Sequence, residues 1–326
     1  MLALLAVQNN ARQLTTRKPV MALDNRKDHM DSLGATVLIV FSAMLGLNQV
    51  CIKLVNAGLD PWFQASLRSF CAFFPVLLFA VLMRKKLSLQ DGSLVPGVIA
   101  GVLFATEFSL LFKALDYTSV SRASVLFYTM PFWVTVAAHV LIPGERITRL
   151  KTVGLILVFV GVLLTLSHNA APDSANALVG DLLCLMAAVC WAGIAIVART
   201  TALQNSSPEM QLLYQLAVSA PILLCFALFS GAELLREPTL TIWLIFAFQV
   251  IFVIAIGFLA WFWVLSVYPV ANMAVFSFLS PIFGVLFGWW LLDETIGSNV
   301  FLALLAIAAG IVLVNWPKAT KVHKAL

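Results

Sequence analysis

Long apolar stretches separated by short polar segments dominate the chain from residue 34 onwards. Each stretch holds about 20 residues, the length that a helix needs to cross the roughly 30 Å of hydrocarbon in a bilayer. Ten such stretches are predicted to be membrane-spanning helices, at 34–55, 62–83, 94–115, 119–142, 149–167, 178–200, 209–230, 240–266, 270–292 and 297–316. Turn-forming dipeptides such as Asp60-Pro61 separate them. The pattern predicts an all-α integral membrane protein.

One segment of this pattern occurs twice. The first copy covers residues 115–145 and the second covers residues 265–294. A constant offset places Leu115, Val120, Val125, Pro131 and Leu141 on Leu265, Val270, Val275, Pro281 and Leu291. Each copy is an apolar helix with a proline in its middle and an acidic residue, Glu145 or Glu294, just past its end. The two copies indicate an internal duplication.

The duplication has a consequence for topology, because each half of the chain contains five predicted spans. With an odd number of spans, the second half enters the membrane from the opposite side, and two inverted repeats result. The predicted division is a tail at 1–33, a first repeat at 34–167, a linker at 168–177, a second repeat at 178–316 and a tail at 317–326. Many secondary carriers bind substrate at the interface between such repeats. A duplication retained only for folding is the alternative.

Composition agrees with a membrane protein, since 62% of the residues are hydrophobic, 11% are charged and the mean hydropathy is +0.99. A soluble domain carries about a quarter charged residues. The five cysteines lie inside apolar stretches without paired metal spacing, so neither a disulfide framework nor a metal site is predicted. The net charge of +5 does not indicate nucleic-acid binding, because the basic residues lie where membrane topology requires them.

Lysine and arginine also predict the orientation, since cytoplasmic segments of membrane proteins carry an excess of both. A cytoplasmic N-terminal tail places the basic residues of 84–86, 146–151 and 318–324 on the same side. An even number of spans returns the C-terminus to that side. The chain is therefore predicted to lie in the cytoplasmic (inner) membrane with both termini in the cytoplasm.

The duplicated residues resemble a known family. The stretch FKALDYTSVSRASVLFYTMPFWVTVAAHVLIPGE and its second copy, WVLSVYPVANMAVFSFLSPIFGVLFGWWLLDE, resemble the EamA domain of the drug/metabolite transporter superfamily. The stretch LGLNQVCIKLVNAGLDPWFQASLRSF looks like the start of that domain. The resemblance implies ten helices in two inverted five-helix repeats around a central cavity, lined mainly by the first, third, fourth, sixth, eighth and ninth helices. It also implies transport of substrates that range over amino acids, sugars, nucleotide conjugates and drugs.

Polar residues inside the predicted spans are candidates for substrate binding or coupling, because a charge at a membrane helix centre costs about 2.5–3.5 kcal/mol. A rise of about 1.5 Å per residue places Asn48, Arg68 and Glu107 roughly 10–13 Å below the outer surface, with Gln49 beside Asn48. One interpretation is an Arg68–Glu107 ion pair, bridged by Asn48 or Gln49, that stabilises the fold. The other makes Glu107 a proton carrier or a contact for a substrate amine, with Arg68 adjusting its acidity.

Two prolines and four aromatic residues complete the candidates. Pro131 and Pro281 each deprive the carbonyl four residues earlier of its donor, so the helices are predicted to kink there and to act as gates. A purely architectural kink is the alternative. The aromatic candidates for substrate contact are Tyr128, Trp191, Trp261 and Phe276. For each of them, packing in the core or against lipid is the simpler interpretation.

Other features are predicted to serve folding. Lys53, Lys113 and Arg122 lie close enough to the outer surface for their long side chains to reach water. The pairs Gly97–Gly101 and Gly284–Gly288 have the spacing that lets membrane helices pack closely.

The predicted function is transport rather than catalysis. The sequence contains no HExxH, GxSxG, P-loop or aspartate-rich motif, and no catalytic residue, metal or cofactor is predicted. The chain is predicted to be a secondary active transporter of small metabolites that works by alternating access and exports amino acids or related compounds. The predicted partners are a small-molecule substrate, membrane lipids and coupling protons, and the protein is predicted to be a monomer or homodimer. The alternatives are uptake or exchange of a larger, nucleoside-type metabolite, and a membrane scaffold or sensor.

Overall fold

The structure is a computed structural model that describes residues 31–142, 147–167, 176–257, 260, 263–264, 267–268, 276 and 279–314. In these residues the backbone forms helices, turns and one isolated bridge between Leu59 and Leu235. The predicted all-α class is confirmed for this part of the chain. Most of the predicted N-terminal tail and linker and all of the predicted C-terminal tail lie outside the described residues, which leave out 1–30, 168–175 and 315–326.

The α-helices of the described residues are numbered in chain order. They are α1 (Ser32–Asn56), α2 (Pro61–Leu82), α3 (Leu94–Tyr117), α4 (Val120–Phe127), α5 (Met130–Leu141), α6 (Arg149–Ser167), α7 (Ala177–Thr200), α8 (Pro208–Phe229), α9 (Leu240–Phe248), α10 (Leu279–Leu292) and α11 (Ser298–Val314). A 3₁₀ turn, Ala202–Asn205, joins α7 to α8. A π-helical segment, Gln249–Ile256, continues directly from α9.

Seven helical stretches in the described residues are long and apolar enough to cross a membrane, with α4 and α5 together forming one of them. Their bounds match the first seven predicted spans to within two residues. The last three predicted spans overlap shorter apolar helices at Leu240–Ile256, Leu279–Leu292 and Ser298–Val314, and parts of these spans lie outside the described residues. The count of ten spans and the inverted repeat stay predictions.

The fourth predicted span is interrupted in its middle. Helix α4 ends at Phe127, and Pro131 is the second residue of α5. Proline suits the first turn of a helix, where its missing amide hydrogen has no partner to lose. The chain therefore breaks ahead of Pro131, whereas the sequence predicts a kink within one continuous helix. The Thr129 hydroxyl donates to the Leu126 carbonyl at 2.6 Å across the break. Pro281 is the third described residue of α10.

Apolar side chains cover the outside of the bundle. On α2, Phe70, Phe74, Leu78 and Leu82 are each more than half exposed and follow one another at the spacing of one helical turn. Such a stripe suits contact with lipid hydrocarbon. The polar side chains of the same helix, including Arg68, are buried inside the bundle.

Helices from the two halves of the chain pack against each other, with α1 against α10, α2 against α8, α6 against α11 and α3 between α7 and α8. Glycine permits the closest of these contacts. A Cβ atom added at Gly46 of α1 would lie 2.7 Å from the backbone nitrogen of Gly284 in α10. A Cβ atom added at Gly101 of α3 would lie 2.9 Å from the carbonyl oxygen of Tyr214 in α8. The glycine pairs predicted for close packing thus lie at helix contacts.

Replacing Gly46 by alanine is expected to lower the free energy of unfolding by about 1–3 kcal/mol, the usual cost of overpacking a tight contact. The added methyl group meets α10 backbone, which cannot rotate away as a side chain can. The measurement is the thermal unfolding midpoint of the purified protein. Gly193→Ala is the matched control, because a Cβ atom there meets only Leu103 methyl groups at 3.3 and 3.7 Å. Equal midpoints for the two variants would contradict the close α1–α10 contact.

Candidate functional site

A cavity of about 500 Å³ lies inside the bundle. Seven of the eight predicted substrate-binding or coupling residues line it: Asn48, Gln49, Arg68, Glu107, Tyr128, Trp191 and Phe276. The eighth, Trp261, lies outside the described residues. Pro131 and Pro281 do not line the cavity, although their neighbours Met130 and Ser280 do. The break between α4 and α5 therefore places side chains, rather than the prolines, at the cavity wall.

More helices line the cavity than the family resemblance implies. Helix α2 contributes Arg68, and α8 contributes Gln211, Leu212, Gln215 and Leu216. These helices correspond to the second and seventh predicted spans, which are absent from the implied set. The glutamines of α8 are therefore polar cavity residues that the sequence argument missed.

Arg68 is 3% exposed and lies against aromatic rings. Its guanidinium carbon is 4.2 Å from the ring centroid of Phe108 and 4.6 Å from that of Phe112, both on α3. A cation over a ring face is attracted by the ring quadrupole. Within the described residues, the buried Nε of Arg68 has no hydrogen-bond partner. The guanidinium group of Arg68 is thus in contact with aromatic rings, and its Nε can still donate a hydrogen bond.

Glu107 is also 3% exposed, and its buried Oε2 has no hydrogen-bond partner in the described part of the chain. Arg68 and Glu107 line the same cavity. The predicted pairing of these two charges stays a prediction. The guanidinium group of Arg68 lies over the rings of Phe108 and Phe112.

The amide oxygens of the predicted bridging residues are unpaired as well. Asn48 Oδ1 and Gln49 Oε1 are buried, and neither has a hydrogen-bond partner among the residues described. An unmade hydrogen bond to a buried polar group costs about 1–3 kcal/mol. Four cavity side chains with such atoms are therefore a costly arrangement for the protein alone, and they are well placed to bind a polar ligand.

An aromatic wall faces these polar groups. The rings of Phe127 and Trp191 are stacked, with centroids 5.0 Å apart and planes at 15°. The Tyr128 ring meets Trp191 edge-on, with a centroid distance of 6.1 Å. This wall joins α4 to α7 and presents a flat apolar surface to the cavity.

One end of the bundle, which we call the Asn56 end because α1 ends there at Asn56, is closed by hydrogen bonds between distant parts of the chain. Glu294 accepts hydrogen bonds from the backbone N–H of Val120 (2.7 Å) and of Ser121 (2.9 Å), and from the Ser121 hydroxyl (2.7 Å). It caps the N-terminus of α4, where the helix dipole favours a carboxylate. Lys53 Nζ lies 3.9 Å from the same carboxylate.

A buried ion pair at the Asn56 end was not found from the sequence. Arg122 is 6% exposed, and its Nε and Nη2 donate to the carboxylate of Asp181, which is 0% exposed. The Thr118 hydroxyl donates to the same carboxylate at 2.7 Å. The prediction that Arg122 reaches water is therefore wrong. The available signal was an aspartate in an apolar stretch, which indicates a buried partner but does not identify it.

The opposite end, which we call the Ser93 end, is also joined across the two halves of the chain. The hydroxyl oxygens of Ser93 and Tyr214 lie 3.0 Å apart, and Lys85 Nζ lies 3.0 Å from Glu209. Hydrogen bonds from Ser93 lower the pKa of the exposed Asp91 carboxyl. The cavity lining reaches this end most closely at Gln211, the fourth residue of α8.

In the described residues, no three His, Cys, Asp or Glu side chains lie close enough together to hold a metal ion. The chemistry available at the cavity is therefore that of one guanidinium, one carboxylate, several amides and an aromatic wall.

Comparison with known proteins gives consistent matches over most of the chain. The model of the EamA-like transporter family matches twice, at residues 32–167 and 178–316. The chain is 29% identical to the uncharacterized transporter YoaV of Bacillus subtilis, covering 84% of this chain and 94% of that one. It is 26% identical to a probable amino-acid metabolite efflux pump of Escherichia coli, covering 91% of this chain and 99% of that one.

A solved crystal structure of another protein has a similar fold. The TM-score is 0.61, the sequences are 18% identical, and the match covers 86% of this chain and 95% of that chain. At this level of identity the likeness concerns the fold alone.

Proposed function

Because the chain belongs to the EamA-like transporter family, we propose that it is a secondary transporter that exports amino acids or related small metabolites by alternating access. The observation that carries the proposal is the unpaired polar chemistry of the central cavity. Asn48, Gln49, Arg68 and Glu107 each present a buried atom without a partner in the described structure. A ligand that forms hydrogen bonds with these atoms gains free energy from each of them.

The cavity chemistry favours a zwitterion with an apolar side chain. The Arg68 guanidinium suits a carboxylate, since charge-assisted hydrogen bonds are the stronger kind. The Glu107 carboxylate suits an ammonium group, and the wall of Phe127, Tyr128 and Trp191 suits an apolar or aromatic side chain. The cavity volume of about 500 Å³ lies in the usual range for small-molecule sites. The name of the Escherichia coli relative, a probable amino-acid metabolite efflux pump, supports the same substrate class.

Direction and location follow the charge distribution. The lysine and arginine pattern favours an inner-membrane protein with cytoplasmic termini, which makes the Asn56 end external. Hydrogen bonds close the Asn56 end, while the cavity lining approaches the Ser93 end at Gln211. This arrangement supports a resting state that receives substrate from the cytoplasm.

Counterflow in proteoliposomes tests the proposal. Vesicles preloaded with unlabelled L-leucine or L-phenylalanine are expected to accumulate the same labelled amino acid, because a carrier exchanges it across the membrane. Both amino acids carry the zwitterion and the apolar side chain that the cavity favours. Counterflow of a nucleoside in place of either amino acid would favour the larger-metabolite alternative. Binding in a thermal-shift assay without any counterflow would favour a sensor.

Replacing Glu107 by glutamine is expected to weaken binding of L-leucine by about 10- to 100-fold, the equivalent of a hydrogen bond to a charged group. It is also expected to remove pH dependence from transport, because glutamine cannot take up a proton. The measurement is counterflow across a pH series. Glu233→Gln is the matched control, since Glu233 is exposed outside the cavity. Loss of folding in Glu107→Gln, with an unchanged pH profile in the folded fraction, would indicate a purely structural carboxylate.

A further inference from the structure

Two glutamines are buried outside the cavity with their amide groups unused. Gln64 of α2 and Gln249 of the π-helical segment are both 0% exposed. Within the described structure, neither the amide nitrogen nor the amide oxygen of either residue has a hydrogen-bond partner. Neither residue lines the central cavity. Substrate binding in the cavity therefore does not explain why these two buried positions carry polar side chains.

Such an arrangement is unusual for a folded protein. Nearly all buried polar side-chain atoms in native structures have a partner, so each exception needs a specific explanation. A leucine or methionine at either position would fill similar space without an unpaired amide. The two glutamines therefore indicate a second state of the protein in which their amides are used.

The position of Gln64 connects the cavity to the Asn56 end. Gln64 precedes the cavity residue Arg68 by one helical turn, and Asp60 precedes Gln64 by another. Asp60 caps α2 at the Asn56 end, where it accepts hydrogen bonds from the N–H groups of Trp62 and Phe63. Polar side chains thus follow one face of the chain from the cavity to this end.

Gln249 belongs to the π-helical segment that packs against α2 along an apolar seam. Here Phe63 and Leu67 of α2 pack near Phe246 of α9 and Val250 of the π-helical segment. The π-helical segment itself continues to Val253 and Ile254, which line the cavity. Wide helical turns of this kind are rare and occur frequently at functional sites.

Several polar contacts link this end of the seam to the connection between α8 and α9. The Asp60 N–H donates to the Leu234 carbonyl at 3.0 Å, and the Arg236 N–H donates to the Gly58 carbonyl at 2.8 Å. Arg236, in the connection between α8 and α9, lies 3.6 Å from Asp60, and its side chain is 34% exposed. A partly exposed ion pair contributes little to stability. Backbone hydrogen bonds and this partly exposed pair hold this part of the Asn56 end, whereas the buried pair of Arg122 and Asp181 holds another part of it.

We infer that the seam between α2 and the α9–π-helical segment opens in the opposite-facing state, and that Gln64 and Gln249 then line the passage through which polar substrate leaves toward the Asn56 end. In that state the amides bind water and the charged groups of the passing zwitterion. The inference rests on the proposed transport function and adds the route and two residues outside the binding cavity.

Gln64→Met and Gln249→Met test the route, with Gln204→Met as a control because Gln204 is exposed outside the bundle core. Counterflow of L-leucine is expected to fall by about tenfold or more in the first two variants, because the passage loses hydrogen bonds to the moving substrate. Thermal-shift binding of L-leucine is expected to stay unchanged, and the unfolding midpoint is expected to hold or rise. The control is expected to match the parent protein in all three measurements.

Two results would overturn the inference. Unchanged counterflow in both variants would make the glutamines mere packing defects, and a lower unfolding midpoint would make them structural. Failure of the proposed function looks different, since the parent protein itself would then show no counterflow. A second measurement uses Gln64→Cys and a membrane-impermeant thiol reagent added at the Asn56 end. Labelling above that of the parent is expected during transport, and labelling equal to the parent's would contradict the passage.

Discussion

Replacing Arg68 by alanine is expected to weaken binding of L-leucine by about 10- to 100-fold, because a carboxylate bound by a guanidinium loses a hydrogen bond to a charged group. The structure favours a large effect, since the guanidinium is buried at the cavity and its Nε has no partner in the described residues. Its cation lies over the rings of Phe108 and Phe112. Calorimetric titration of the purified protein measures the change.

Arg68→Lys separates the charge from its geometry. Lysine retains the cation but lacks the planar group that stacks on rings and binds a carboxylate with two nitrogens. Its affinity is expected to lie between those of the parent and Arg68→Ala. Arg236→Ala is the matched control, because Arg236 is half-exposed and lies outside the cavity. A loss of affinity in Arg236→Ala as large as that in Arg68→Ala would remove Arg68 from the substrate site.

Replacing Asp181 by alanine is expected to lower the free energy of unfolding by about 3–5 kcal/mol, the usual cost of breaking a buried ion pair. The carboxylate receives hydrogen bonds from Arg122 and from the Thr118 hydroxyl, and all three residues are buried. Removing the aspartate leaves a buried guanidinium without this partner. The thermal unfolding midpoint of the purified protein is the measurement, and the exposed Glu233→Ala is the control.

The double variant Arg122→Met with Asp181→Leu separates the effect of the two charges on stability from the effect of side-chain packing. Replacing both partners of a buried pair by apolar residues of similar volume is often neutral or stabilising. The double variant is therefore expected to regain most of the stability that Asp181→Ala loses. A double variant as unstable as Asp181→Ala would show that the packing of these side chains, and not their charge, stabilises the Asn56 end.

Positions along the membrane normal were predictable from the sequence. The span predicted at 149–167 coincides with α6, Arg149–Ser167, because the length of an apolar stretch is set by the thickness of hydrocarbon. The same rise per residue placed Asn48, Arg68 and Glu107 at one depth, and all three line one cavity. The apolar exterior of α2 also follows from composition, since lipid accepts no unpaired polar groups.

Partners between helices were not predictable in this way. Sequence spacing fixes how deep a side chain lies, but the rotation of each helix and the choice of its neighbours depend on packing across the whole bundle. Two of the resulting contacts join residues far apart in the chain, Arg122 with Asp181 and Glu294 with Ser121.

The sequence by itself determined that this is a polytopic helical membrane protein, where its first seven spans lie and which polar residues share a depth, because hydrophobicity and helical rise act locally along the chain. Only the tertiary structure decided that the fourth span breaks at Tyr128 and Thr129, that Arg68 lies over the rings of Phe108 and Phe112, and that Asp181 pairs with Arg122. Those outcomes depend on which helix faces meet, and contacts between helices remote in sequence leave no periodic signal within either one.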